Sequence, residues 1–475
     1  MTQASLKTLD GKQHVSSADD IQKLKAGLQG KLCLPGDPGY DEARTIWNGM
    51  IDRKPAVIVR AAVAADVVHA VQFARQHHLL VAIRGGGHNI AGNAVCEGGL
   101  MIDLSPMKKV RIDPKAKTAY VEPGVTLGEF DAAAQAHGLA TPLGINSTTG
   151  VAGFTLGGGF GWISRKYGLT VDNLISVDIV TADGKLISAS EKENPDLFWA
   201  VRGGGANFGV VTAFEYRLHP VGPEVIAGLI VHPFAKAKEL LEAYRKFVAT
   251  APDEVTAWVV LRKAPPLPFL PAEWHGKEIV VFAACVVGDK AAAEKAIAPL
   301  RAIGKPIADV IGPSPFAGWQ TAFDPLLTPG ARNYWKSHDF KKLDDGFLKV
   351  LIDGVGTLPG PECEIFLGHL GGAINRVKPE ATAYPHRDVE FVMNIHTRWR
   401  EAAEDAKYIA WTRKVFDAAT PFATGGVYVN FMPEDEGQRV QKGAYGPNYE
   451  RLSKLKAKYD PTNLFRMNQN IKPAG

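Results

Sequence analysis

The chain has 475 residues, of which 46% are hydrophobic and 22% charged, with a formal net charge of +4. That length and balance describe an ordinary globular protein of about two to four domains, and a mild charge without any Lys/Arg block gives no ground for nucleic acid or an anionic membrane as partner. Cys33, Cys96, Cys285 and Cys363 lie far apart and form no CxxC pair, so neither a metal site nor a dense disulfide framework is expected. The opening "MTQASLKTLDGK" lacks the apolar run of a secretion signal, and no long apolar segment follows, so a soluble cytoplasmic protein is the expectation.

In chain order, Ser17 before "ADDIQKLKAG" reads as a capped helix with acids in its first turn and Gly27 near its end. "KPAVIVR" (54–60), the helical pattern "AADVVHAVQFARQHHL" and "LLVAIR" form a strand–helix–strand unit. Its second strand runs directly into a first glycine cluster, "GGGHN". "KKVRIDPKAKTAYVEPG" predicts a hairpin turning at Asp113-Pro114, and "TLGEFDAAAQAHG" a helix stopped by Gly138. The second glycine cluster is "GVAGFTLGGGFGWISRKYG" (150–168), followed by a hairpin around Asp183-Gly184. The third, "VRGGGANFGVV" (201–211), leads into the strand "TAFEYRLHP".

From about residue 222 the texture changes. "EVIAGLIVHPF", "EVTAWVVLRK" and "KEIVVFAACVVG" read as strands, with helices such as "AKAKELLEAYRKFVA" and "DKAAAEKAIAPLRAIG" among them. This predicts a second, α+β unit carrying a mostly antiparallel sheet. From about 421 the chain is loop-rich again, with "YVNF", a helix entered after Pro447 and the polar end "RMNQNI".

The 49 glycines are the main clue, since many gather in those three clusters. Backbone without Cβ atoms lets N–H groups approach a ligand and build anion-holding concavities. Three clusters suit a long, phosphate-bearing cofactor; structural turns are the alternative. G-x-x-x-x-G-K-[ST], the dinucleotide-fold spacing, the G-x-S-x-G elbow and H-E-x-x-H are all missing. A P-loop enzyme, nicotinamide dehydrogenase, serine hydrolase and zincin are thereby disfavoured.

Five segments together carry a resemblance: "AIRGGGHN", "VEPGVTLGEF", "GVAGFTLGGGFGWISRKYGLTVDNL", "DLFWAVRGGGANFGVVT" and "YVNF…YGPNYERLSKLKAKYDPTNLFRMNQNI". In order and approximate spacing, from about residue 50 to 472, the chain resembles the berberine bridge enzyme-like branch of the FAD-linked oxidases, whose flavin domain is of the vanillyl-alcohol oxidase type. The resemblance implies an α+β fold. A two-part FAD-binding domain (residues 1–221 and 421–475) encloses an inserted substrate domain (222–420), an antiparallel sheet covered by helices. It also implies that His88, of the "RGGGH" motif, bonds covalently to the flavin 8α-methyl; a loop histidine without that bond is the alternative. The cofactor-contacting set carried over comprises Arg84, Gly85, Gly86, Gly87, Asn89, Thr149, Gly150, Gly153, Gly157, Gly158, Gly161, Val211, Asn430, Asn468 and Asn470. Arg84 reads equally well as a core-edge residue or an anion partner. His69, His77, His78 and His137 sit at helix faces or ends and carry no such role.

The sequence departs from the family at one point. Many members attach the flavin a second time through a cysteine shortly before the second glycine cluster. In "PLGINSTTGVAG" that position holds Asn146, which cannot form a thioether. Cys96 lies in a different loop and reads as a small buried residue. FAD held through His88 alone is therefore expected, with a somewhat lower potential and a narrower pocket. Thr149 falls near the flavin's oxygen-reactive face and is close to valine in shape, which favours O₂ as acceptor over another electron acceptor.

Hydride transfer from an alcohol or phenol to flavin N5 needs a base for the accompanying proton. "EFVMNIHTRW" (390–399) alternates, placing Val392, Asn394 and His396 on one face. "YVNF" puts Tyr428 and Asn430 on one side of an extended segment, and the resemblance makes Tyr428 the first candidate for base or orienting phenol. That role requires a lowered pKa, yet no lysine stands at the matching place in the strand. Asn394 and His396 complete the catalytic candidates, with Tyr334, Trp335 and His338 as possible assistants. An apolar pocket lined by Trp319, Phe323, Tyr334 and Trp335 would favour aromatic alcohols, a polar one sugars. The expected function is an FAD-dependent oxidoreductase that removes hydride from an alcohol or amine carbon of a small-molecule substrate. The alternatives are a dehydrogenase with a non-oxygen acceptor, a non-catalytic flavin-binding protein and a nucleotide-sugar reductase. Oligomeric state is left open.

Overall fold

The computed structural model describes residues 3–475. The strand–helix–strand unit forms as its pattern requires. Val57–Arg60 and Val81–Arg84 each run parallel to Leu100–Asp103, which lies between them, and Lys31–Cys33 closes one edge antiparallel. The helix Ala64–Gln76 buries Val67, Ala70, Val71 and Ala74. These positions recur at the helical period and form one apolar stripe. A second, antiparallel sheet of five strands follows the order Leu186–Ser190, Leu174–Val180, Val210–Arg217, Thr118–Val121 and Val110–Asp113. Both hairpins expected from Asp113-Pro114 and Asp183-Gly184 are part of it. An N-terminal hairpin pairing Ala4–Lys7 with Gln13–Ser16 was not among the expected elements.

Residues 224–399 build an eight-stranded antiparallel sheet. Its main path runs Ala308–Asp309, Glu224–Pro233, Glu278–Val286, Val255–Lys263, Glu364–His369, Phe391–Trp399 and Arg332–Phe340, and Gly312–Pro315 pairs with Glu224–Pro233. One face carries Tyr334, Ile365, Met393 and Ile395, packed with the helices Ala237–Val248, Asp345–Val355 and Asp405–Ala419. The alternate residues, among them Trp258, Phe366 and Val392, join the core that contains the glycine-cluster segments. Phe391–Trp399 is therefore buried on both faces.

After residue 421 the chain is irregular up to the helix Tyr449–Tyr459. The expectation of an extended "YVNF" is corrected here: Val429–Phe431 is a turn of 3₁₀ helix. The tight turn folds the Asn430 amide back onto the Tyr428 hydroxyl at 2.8 Å. No helix among the described residues is long and apolar enough to cross a membrane.

Candidate active site

A cavity of about 300 Å³ lies between the glycine-cluster loops, the face of the large sheet that carries Trp258, and the tail. Its first wall is loop backbone. Gly86 and Gly150 touch there: a Cβ on Gly86 would lie 2.2 Å from the Gly150 nitrogen, and one on Gly150 equally close to that of Gly86. Part of the glycine requirement thus comes from loop packing and not from a ligand. Gly157 is pinned from the other side, since its Cβ would meet the Asn430 side chain at 2.1 Å. Gly153 has nothing within 4 Å of a Cβ position and faces open space.

Of the cofactor set, Gly85, Gly86, Gly87, His88, Asn89, Thr149, Gly150, Gly153, Gly157, Asn430 and Asn468 line this cavity, as does Asn146. Five others do not. Arg84 turns its guanidinium to the Ala43 carbonyl. Gly158 lies against the Tyr384 ring and Gly161 against the Leu143 carbonyl. Val211 is buried within Val210–Arg217, paired with Ile179. Asn470 is also absent from the wall, although its Oδ1 is buried without a partner.

His88 is half-buried, with its ring stacked on Trp47 at 5.1 Å between centroids and 24° between planes. Its Nε2 lies 2.9 Å from the Thr148 hydroxyl and its Nδ1 3.4 Å from that of Thr149. Loss of solvation, against one hydrogen bond with the Thr148 backbone, lowers its pKa to about 3, so the imidazole is neutral at ordinary pH. A neutral imidazole keeps a lone pair and is nucleophilic. Cys96 is fully buried in a separate loop, and its thiol is pushed up to about 12 by burial.

The opposite wall comes from three adjacent strands. Trp335 and Glu364 each sit directly across from His396, so the three side chains form one row on the cavity face. His396 Nδ1 meets Glu364 Oε1 at 3.2 Å, and its Nε2 is buried without a partner. Glu364 Oε2 accepts from the Arg262 guanidinium at 2.6 Å. Burial would raise the Glu364 carboxyl, but Arg262 and then His396 outweigh it and hold it at about 2. Phe366 and Asn394 form the next row, with Asn394 Oδ1 unpartnered. Glu364, Arg262, Thr148 and Trp47 were not singled out in the sequence. The one signal was an acid heading the strand "EIFLGH", whose next four residues carry no polar side chain.

Tyr428 also lines the cavity. Its oxygen accepts from the Gly159 N–H at 3.1 Å and from Asn430, while burial raises its pKa above that of a free phenol. Among the expected aromatic residues, Trp335 is on the wall and Phe323 lines a small apolar cavity next to it. Trp319 instead packs near Trp162 at 5.1 Å, and Tyr334 points to the helix-covered face, where its hydroxyl donates to Asp435 at 2.7 Å. His338 stacks on Phe416 away from the cavity. No cluster of metal-ligating side chains occurs among the described residues.

The chemistry of this wall suits a flavin nucleotide. It offers bare backbone at Gly153, a nucleophilic ring at His88, and buried polar atoms awaiting partners at Asn468 Oδ1, Asn394 Oδ1 and Trp335 Nε1. Comparison with known proteins agrees. A family profile described as "FAD binding domain" matches residues 55–190, and one described as "Berberine and berberine like" matches residues 427–472. The FAD-linked oxidoreductase YgaK of Bacillus subtilis is 32% identical, over 94% of this chain and 98% of its own. The structure of 6-hydroxy-D-nicotine oxidase from Arthrobacter nicotinovorans superposes with a TM-score of 0.85 at 29% identity, covering 94% of this chain and 98% of that one. Chitooligosaccharide oxidase gives 0.84 at 26% identity, with 96% and 100% covered. The chain belongs to the berberine bridge enzyme-like family of FAD-linked oxidoreductases.

Proposed function

We propose that the enzyme holds FAD through one covalent bond, at His88, and oxidises the alcohol- or amine-bearing carbon of a largely apolar small molecule, with O₂ as electron acceptor. The observation that carries this reading is the single cavity that sets the neutral His88 on one wall and the Glu364–His396 pair on the other. A single tether accords with Asn146 on the wall where a second, cysteine tether would be expected. FAD, when bound, supplies the hydride acceptor at N5.

The chain's own groups then handle the proton. His396 Nε2 is free to accept it from the substrate hydroxyl or ammonium, and Glu364 on Nδ1 orients the ring and stabilises the imidazolium. Asn394 Oδ1 offers an acceptor beside it. Tyr428, with its raised pKa and an oxygen already accepting two hydrogen bonds, suits orientation better than proton removal. Trp258, Phe366, Leu327 and Trp335 make the substrate side mainly apolar. A sugar would leave hydroxyl groups unpaired against such walls. The 6-hydroxy-D-nicotine oxidase likeness fits this reading better than chitooligosaccharide oxidase. We assign the substrate-binding unit to residues 222–420.

The test is anaerobic mixing of the holoenzyme with benzylic alcohols, arylalkyl amines and cello-oligosaccharides. Bleaching of the flavin by an aromatic alcohol or amine, with colour and hydrogen peroxide returning on admission of air, is the expected result. Bleaching by the oligosaccharides alone, or by no member of these classes, would refute it.

A further inference from the structure

We propose that Asn146 and Thr148 form a positioning relay that keeps the proton of the His88 ring on Nε2 and so presents Nδ1 as the nucleophile for flavin attachment. The inference rests on the reading of His88 as the tether and gives Asn146 a function of its own.

The argument is one of donors and acceptors. The Thr148 backbone N–H donates to Asn146 Oδ1 at 3.2 Å, so the amide turns its oxygen, which can only accept, toward Thr148. The Thr148 hydroxyl lies 2.8 Å from the same oxygen and must spend its one proton there. What remains on that hydroxyl is acceptor capacity, and His88 Nε2 is 2.9 Å away. Nε2 is therefore the protonated nitrogen, and Nδ1 of the neutral ring carries the lone pair. Nδ1 has the Thr149 hydroxyl at a long 3.4 Å, and Thr149 is a cavity-wall residue.

The relay sits on a fixed turn. Leu127 N–H donates to the Thr149 carbonyl at 2.8 Å, Gly128 N–H to the Ser147 carbonyl at 2.9 Å, and Ser147 N–H to Asp324 Oδ1 at 2.9 Å. Trp47 holds the ring from its face.

Attachment forms a bond between Nδ1 and the methyl carbon on flavin C8 and breaks one methyl C–H bond. Two protons are released, one from the methyl and one from Nε2. The two electrons of the C–H bond pass into the flavin ring and on to O₂, which takes up both protons as hydrogen peroxide.

The experiment uses full-length protein made in flavin-limited cells, with FAD added in vitro and acid-stable flavin followed over time. Thr148→Val should slow its appearance about tenfold, the worth of one hydrogen bond, while Thr148→Ser keeps the wild-type rate. Asn146→Leu frees the Thr148 proton to be donated to Nε2, moves the ring proton to Nδ1 and should slow attachment likewise; it decides the matter if Thr148→Val does not fold. Wild-type rates in Thr148→Val or Asn146→Leu would overturn the relay. His88→Ala must give no acid-stable flavin. If it does give some, the tether reading falls instead, and the two failures are told apart.

Discussion

On the proposed mechanism, the pairing of Glu364 with His396 sets how the site treats a proton. A histidine hydrogen-bonded through Nδ1 to a carboxylate is fixed in orientation and keeps its Nε2 free. Arg262 keeps that carboxylate ionised, at about 2, although it lies among apolar side chains. Because the folded value is lowered, the stabilisation is complete above the usual carboxylate range, near ~4.3, and is lost as pH falls toward 2. Protonation of Glu364 thus plays no part at neutral pH, where its carboxylate faces His396 in the ionised form. His396→Asn should lower the rate of flavin reduction by a good substrate by about 10²–10⁴, the usual worth of a general base. Glu364→Gln, which leaves His396 in place, should cost about tenfold, one hydrogen bond's worth. Stopped-flow reduction of the two variants checks this; equal rates in wild type and His396→Asn would return the role to Tyr428 or to solvent.

At the scale of elements, register decides what reaches the cavity. One residue of slip in Phe391–Trp399 would exchange His396 and Asn394 for Ile395 and Met393, which belong to the helix-covered core. The alternation of that strand was legible, and so were the hairpins, the parallel unit and the apolar stripe of Ala64–Gln76. Its neighbours across the sheet were not. Glu364 is 32 residues from His396 in sequence, and Trp335 reaches the same row from a third strand. A single sequence carries no record of which strands pair. The tail was read as loop-rich with a helix after Pro447, and that helix with its C-cap carries a fully buried ion pair that was not foreseen, Lys456 with Asp460 at 2.6 Å. Lys456 also donates to the Asn207 carbonyl at 2.6 Å, joining the tail to the third glycine cluster. Asp460 accepts from the Leu464 and Phe465 N–H groups. Lys456→Met would leave that carboxylate buried without its cation, and a loss of about 3–5 kcal/mol in unfolding free energy follows. Urea denaturation of the holoenzyme measures it, and an unchanged midpoint would mean that the pair is dispensable.

For the whole molecule, the site exists only where distant segments converge: the loop after Val81–Arg84, the turn before Gly150, the inner face of the large sheet and the tail around Tyr428 and Asn468. The glycine clusters were visible as clusters, but the work of single glycines was not. Gly86 and Gly150 touch each other, and Gly161 touches Leu143 on the far side of its own loop. Composition cannot separate a glycine that admits a ligand from one that admits another backbone. The histidine behind the first cluster and the asparagine before the second drew their expected roles from the family resemblance and not from packing. Their geometry links them: the His88 ring lies within hydrogen-bond reach of the Thr148 hydroxyl, which donates to the Asn146 amide oxygen.

The most direct test is the intact mass of the purified protein under denaturing conditions, followed by peptide mapping. One covalently retained FAD, located on the peptide containing His88 and absent from that containing Asn146, is the predicted result. Retention at a second residue, or release of all the flavin on denaturation, would contradict it.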